Sequence, residues 1–164
     1  MKSSRPVFIA VAFGALASAT ARADELQATI HREMSVRDTF VGCGSIWALG
    51  DHDTVRDALV AESKVELPPA AGMRAAGCLI EASPADPLAL GVVKGWMADP
   101  AVPGFALLVV DKLDLYDEPV AIELGELAVT RAATDARFAR YAPRHLDESR
   151  YPSVRALAGQ IRSR

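Results

Sequence analysis

Helix-start signals recur along this chain at an almost constant step, and that step limits the folds open to it. Four segments carry the signal: Asp53-Thr54-Val55-Arg56, Asp86-Pro87-Leu88, Glu118-Pro119-Val120 and Tyr151-Pro152-Ser153-Val154-Arg155. Positions 54, 87, 119 and 152 lie 33, 32 and 33 residues apart. Proline costs nothing in a first helical turn, because its missing N–H would have no helical partner there. A carboxylate just before it meets free N–H groups and the positive end of the helix dipole. A fixed step of roughly 20–50 residues is the mark of a repeat architecture.

A second helix is expected before each of these starts. Residues 35–49, 69–82, 102–115 and 135–142 fill the alternate places, and a short leading helix is expected over 25–32. Phe40, Met73, Phe105 and Phe138 recur at 33, 32 and 33 residues. Apolar residues within the helices keep helical spacing, as in Val55, Ala58 and Leu59, or Leu88, Val92, Val93 and Trp96. The run Phe105, Leu107, Leu108, Val109 and Val110 is compatible with a strand by propensity; the register and the flanking helices favour helix. Pro143 is expected to end the helix that starts at Asp135, since its ring clashes with the preceding turn. Trp47 and Trp96 read as core residues rather than ligand-stacking ones. The fold class is therefore all-α: a short α-solenoid of about four antiparallel helix pairs, although a plain helical bundle would hold the same helices.

One stretch carries a family resemblance. Leu49-Gly50-Asp51-His52-Asp53-Thr54-Val55-Arg56-Asp57-Ala58-Leu59 resembles the bacterial HEAT-repeat pattern, and Asp99-Pro100-Ala101-Val102 and Pro152-Ser153-Val154-Arg155-Ala156-Leu157 are similar fragments. The second and third pairs depart from it, lacking the Arg that in this family commonly bonds an acid in a neighbouring repeat. The resemblance implies binding of another macromolecule along the repeat surface and names no particular partner.

The first 23 residues read as a cleaved secretory signal peptide. Lys2 and Arg5 precede an apolar run over 7–19, and Ala21-Arg22-Ala23 offers the small residues a signal peptidase accepts. An uncleaved amino-terminal anchor is the alternative. Residues 24–164 then form the repeat domain, in a bacterial periplasm or outside the cell. At 51% hydrophobic and 24% charged residues the chain is too apolar for intrinsic disorder, and two cysteines exclude a disulfide-dense miniprotein.

Charge is divided unevenly. From Asp24 to Thr130 there are 7 basic and 18 acidic residues; from Arg131 onward there are 8 basic and 3 acidic. Every basic residue in the second group is arginine, the side chain suited to bidentate contact with carboxylate or phosphate. Arg137, Arg140, Arg144, Arg150, Arg155 and Arg162 are the candidate partner-binding residues. Three readings stand side by side: this end docks an acidic partner or anionic lipid head groups, it meets the acidic part of a second copy head to tail, or it is a solvated capping repeat. Nucleic acid is disfavoured by compartment and by the net charge of the exported part, and a membrane contact is the weaker of the docking options.

No catalytic motif is present: no G-x-S-x-G, no H-E-x-x-H, no glycine-rich phosphate loop and no C-x-x-C. We expect no enzyme and no cofactor. The alternative is a metal-binding protein or enzyme using the turn Asp51-His52-Asp53. Its plainer reading makes Asp53 a helix cap, Asp51 a turn residue and His52 a solvated tip. Cys43 and Cys78 lie 35 residues apart in equivalent helices of neighbouring pairs, and either bond to each other or stay as two buried thiols. The function expected is that of an exported, non-catalytic protein-binding scaffold.

Overall fold

The computed structural model describes residues 10–36, 40–66 and 68–163. Among them the chain is all-helical, with no strand. The helices are α1 (Ala10–Ser35), α2 (Cys43–Trp47), α3 (His52–Ser63), α4 (Pro69–Ala82), α5 (Pro87–Ala98), α6 (Pro103–Asp111), α7 (Glu118–Ala132), α8 (Ala136–Asp147) and α9 (Pro152–Arg162), with a 3₁₀ turn at Leu113–Leu115. The run 103–111 is thus helical, as its register suggested.

Prolines and aspartates place the starts. Pro69, Pro87, Pro103 and Pro152 open α4, α5, α6 and α9. The carboxylates of Asp51, Asp86, Asp117 and Asp135 accept from backbone amides inside the first turns of α3, α5, α7 and α8. Two expected caps therefore move: Asp51, not Asp53, caps α3, and Asp117, not Glu118, caps α7. A short Asp side chain reaches back to the amide three residues on, which the longer Glu does less well. Tyr151 precedes α9 without a side-chain cap.

Four other boundaries differ from expectation. Residues 35–49 are not one helix: α1 runs to Ser35, and among the described residues of this stretch only the five-residue α2 follows. Gly42 enters it at φ 88, in left-handed backbone that a side chain disfavours, and Gly44 weakens the helix it sits in. The expected helix at 25–32 is the inner part of α1. The expected helix at 102–115 divides at Lys112 into α6 and the 3₁₀ turn. Pro143 does not end α8, which continues to Asp147. Phe138, Ala142 and Leu146 make a fully buried i, i+4, i+8 stripe, and that burial outweighs the one backbone hydrogen bond a proline forfeits.

Helices pack on near neighbours in sequence. α1 lies against α3 and α4, α3 against α4, α5 against α6, and α8 against α9. Further contacts join α4 to α6, α5 to α7, α6 to α8 and α7 to α9. One hydrophobic core runs through them, from Ile30 and Met34 through Leu59, Leu79 and Met97 to Leu124, Phe138, Leu146 and Ile161. Gly125 sits where α7 meets α9; a Cβ there would lie 2.6 Å from the Leu157 Cδ1 atom. The 33-residue aromatic register is uneven in burial: Phe138 is fully buried, Phe40 and Phe105 are half-buried, and Met73 is exposed. Leu88, on the expected apolar stripe of α5, is 63% exposed.

No single helix among the described residues is long and apolar enough to cross a membrane; α5 and α6 qualify only as a pair, bent by 120°. The cleavage signal at 21–23 lies within α1, and Ala21 to Glu25 are exposed; the leader's basic start and the first three residues of its apolar run, 7–9, lie outside the described residues.

Candidate functional site: the polar seams and the arginine face

Side-chain hydrogen bonds join residues about one repeat step apart, and they form the seams between successive helix pairs. At the amino-terminal seam, Glu62 of α3 is fully buried, and Gln27 Nε2 of α1 donates to it at 3.2 Å. His31 Nδ1 hydrogen-bonds the other Glu62 oxygen at 2.8 Å. A carboxylate removed from water needs such partners. At the next seam His52 Nε2 meets Asp86 Oδ2 at 3.0 Å, and Arg56 Nη1 lies 3.5 Å from the same oxygen. Burial alone would raise the Asp86 carboxyl; the amides of Ala89 and Leu88, the His52 bond and Arg56 outweigh it and hold it below the usual carboxylate range. Arg56 also binds Asp53 at 2.7 Å and Asp57 at 3.2 Å. Burial pulls the Arg56 guanidinium down, but these two carboxylates carry it above its ordinary value.

The turn Asp51-His52-Asp53 is thereby accounted for residue by residue. Asp51 caps Thr54, whose hydroxyl and amide hold the carboxyl low. Asp53 pairs with Arg56. His52 is 57% exposed, as a turn tip would be, but it is not without partners: besides Asp86 it stacks on Trp47, with ring centroids 4.5 Å apart. Trp47, expected in the core, is half-buried and covers that imidazole instead. The three side chains face different partners, and among the described residues no group of three or more His, Cys, Asp or Glu could hold a metal ion.

Cys43 and Cys78 form a disulfide, with Cα atoms 5.1 Å apart. It ties the first residue of α2 to α4, across a step of 35 residues. A disulfide is compatible with an oxidising compartment.

Towards the carboxyl end the seams change chemistry. Ser83 Oγ and the hydroxyl of buried Tyr116 share a hydrogen bond of 2.7 Å, and burial pushes the Tyr116 phenol up. His145 Nδ1 meets Asp111 Oδ1 at 3.0 Å. The Ser149 hydroxyl and the Arg150 amide both donate to the Asp114 carboxylate. Arg150 Nη2 and the Tyr151 hydroxyl both donate to the Tyr116 carbonyl, at 3.2 and 2.7 Å.

The six candidate arginines fall into two groups. Four are engaged within the chain: Arg144 with Glu148, Arg150 with the Tyr116 carbonyl and the Tyr151 ring, Arg155 Nη1 with the Ser149 carbonyl at 2.7 Å, and Arg162 with Asp147. Arg137 and Arg140 are exposed on α8 and have no hydrogen-bond or ion-pair partner among the described residues. With Arg144 they stand at i, i+3 and i+7, on one face of the helix. Tyr141, 49% exposed, lies beside them. Tyr141 drew no notice in the sequence; its place one residue after Arg140 on an amphipathic helix was the available signal. The signal for the seams lies in histidines paired with carboxylates about one repeat step along the chain, His31 with Glu62, His52 with Asp86 and His145 with Asp111.

The Arg131 side chain belongs to neither group. It is 6% exposed, and its Nη1 donates to the carbonyls of Trp96 and Asp99, each at 2.8 Å. It closes the carboxyl end of α5, where unpaired carbonyls and the negative end of the helix dipole favour a cation.

Compared with protein-family models, with curated proteins and with solved structures, the chain finds no match.

Proposed function

We propose that this chain is an exported, non-catalytic scaffold, an α-solenoid of HEAT-like helix pairs that binds another protein through the outer face of α8. Arg137 and Arg140, exposed and unpaired beside Tyr141, are the observation that carries this reading. The other five described arginines from Arg131 onward, Arg131, Arg144, Arg150, Arg155 and Arg162, have partners that explain them as parts of the fold; these two do not. Arginine and tyrosine are the residue types that most often dominate protein interfaces, because each combines apolar area with directed hydrogen bonds. A partner face bearing carboxylates fits the guanidinium forks.

The solenoid reading is supported by packing restricted to near neighbours and by seam contacts such as Glu62 with Gln27, Asp86 with His52 and Tyr116 with Ser83, each about one step apart. Export to the periplasm is supported by the leader-like start of the sequence and by the Cys43–Cys78 bond.

The test is capture from periplasmic extract with the wild-type chain and with Arg137→Glu/Arg140→Glu. The expected result is one retained protein, lost at high salt and lost on charge reversal. Retention unchanged by both would overturn α8 as the docking face.

A further inference from the structure

A cavity of about 680 Å³ opens where the end of α5, the end of α7 and the start of α8 meet. Met97, Pro100 and Leu127 give it an apolar lining, and Arg131 and Asp135 supply its charged groups. Its volume lies within the range of small-ligand sites, about 300–1,000 Å³. The site is separate from the α8 face described above and does not depend on that reading.

The Arg131 guanidinium is half used. Nη1 is spent on the α5 carbonyls of Trp96, Met97 and Asp99. Its Cζ atom lies 5.2 Å from the Phe138 ring centre. Nε and Nη2 are buried and have no hydrogen-bond partner; Nε has only an ionic contact with Asp135 Oδ2 at 3.5 Å. Asp135 cannot close the gap without leaving its own task, because its Oδ1 accepts from the Phe138 amide at 2.9 Å. The unfilled edge, Nε with Nη2, is the one whose two N–H bonds run parallel and donate together to an oxygen acceptor. Capping α5 uses Nη1 alone and leaves this edge unexplained. A charged donor pair buried without an acceptor is costly, and each such case calls for a reason.

We propose that this cavity binds a peptide-like amide carrying an apolar side chain: its carbonyl oxygen accepts from the Nε/Nη2 edge of Arg131, its N–H donates to Asp135 Oδ2, and its side chain fills the space between Met97, Pro100 and Leu127. Nε and Nη2 are closed to solvent, so an occupant reaches them by displacing the Asp135 Oδ2 contact while Oδ1 stays on the Phe138 amide. A donor hydrogen on the same occupant keeps that carboxylate paired once moved. This requirement selects an amide over a carboxylate, since Arg131 and Asp135 together carry no net charge and an anion would face Asp135 uncompensated.

Ala98 and Ala136 are exposed at the cavity rim, so a bulky residue at either blocks entry without entering the core. The experiment is a titration of the whole exported chain with N-acetyl-leucinamide, and in parallel with N-acetyl-leucine, read by amide and Arg131 Nε chemical shifts. Saturable millimolar binding is expected for the amide, with shifts confined to residues around 97, 127, 131 and 135, and at least tenfold weaker binding for the acid. Ala136→Trp should abolish the shifts while leaving the rest of the spectrum in place. Absence of saturation, binding that survives Ala136→Trp, or tighter binding of the acid each overturns the proposal. Arg131→Lys adds a second reading: it keeps a cation at α5 but removes the fork, and should weaken the amide at least fivefold.

Discussion

The seams at the two ends of the molecule solve the same problem by different means. Around α1 to α4 the joins are made by a disulfide and by pairs of ionisable side chains, Glu62 with His31 and Asp86 with His52 and Arg56. Around α7 to α9 they are made by side chains bonded to backbone carbonyls, from Arg131, Arg150 and Tyr151, together with side-chain pairs such as His145 with Asp111 and Ser149 with Asp114. The difference follows helix length. α2 has five residues and buries only Ile46, so it cannot hold itself by apolar burial and is stapled instead. α8 and α9 have 12 and 11 residues and each buries a full apolar stripe. There the polar contacts orient helices that burial has already brought together.

The largest expected effect comes from removing that burial. Phe138→Ala should cost about 3–5 kcal/mol, measured by urea unfolding, and the loss should be the same with and without reductant. A loss that depends on reductant would mean the two ends are not separate in their energetics. Next, reducing the disulfide or making Cys43→Ala/Cys78→Ala should cost about 2–4 kcal/mol, the range for closing a loop of this length. Hydrogen exchange should then speed up in α2 and leave α9 protected. Equal acceleration in both would erase the contrast.

A smaller effect separates the seams by pH. The Asp86 carboxyl is held low in the fold, so the stability it contributes is present above its unfolded value, about 3.9, and is lost as pH falls through the folded one. Asp86→Asn should flatten the loss of stability below about pH 4, seen as a smaller shift in melting temperature between pH 5 and pH 3. The Tyr116 phenol is pushed up, so its contribution is present below about pH 10 and is lost as pH rises beyond it. Tyr116→Phe should remove that alkaline loss at a cost near neutrality of about 1 kcal/mol, from the Ser83 bond. Smallest of all, Arg137→Glu/Arg140→Glu should change stability by less than about 0.5 kcal/mol, because neither side chain has a partner to lose. A larger change would place them in the fold and not on a binding face.

Much of the helical content was legible because it is written in local chemistry. Pro69, Pro87 and Pro152 and the aspartates at 86 and 135 mark starts that any helix must satisfy within its own first turn. The cap at Asp51 was harder to see because Asp53 and Thr54 compete for the same role by type, and only the backbone path at Asp51 decides between them. Pro143 misled because its local penalty is real; the burial of Phe138, Ala142 and Leu146 that overrides it is not local.

What the sequence by itself determined is therefore the helical class, most of the helix starts, their step near 33 residues and the pair of cysteines one step apart, all of which depend on neighbours along the chain. What the tertiary structure decided is the fate of individual charges. Arg131 and Arg137 are six residues apart and indistinguishable by type, yet one is buried against the end of α5 and the other is exposed on α8. A charge is buried or free according to which helix comes to lie over it, and that depends on packing between turns of chain some 30 residues apart.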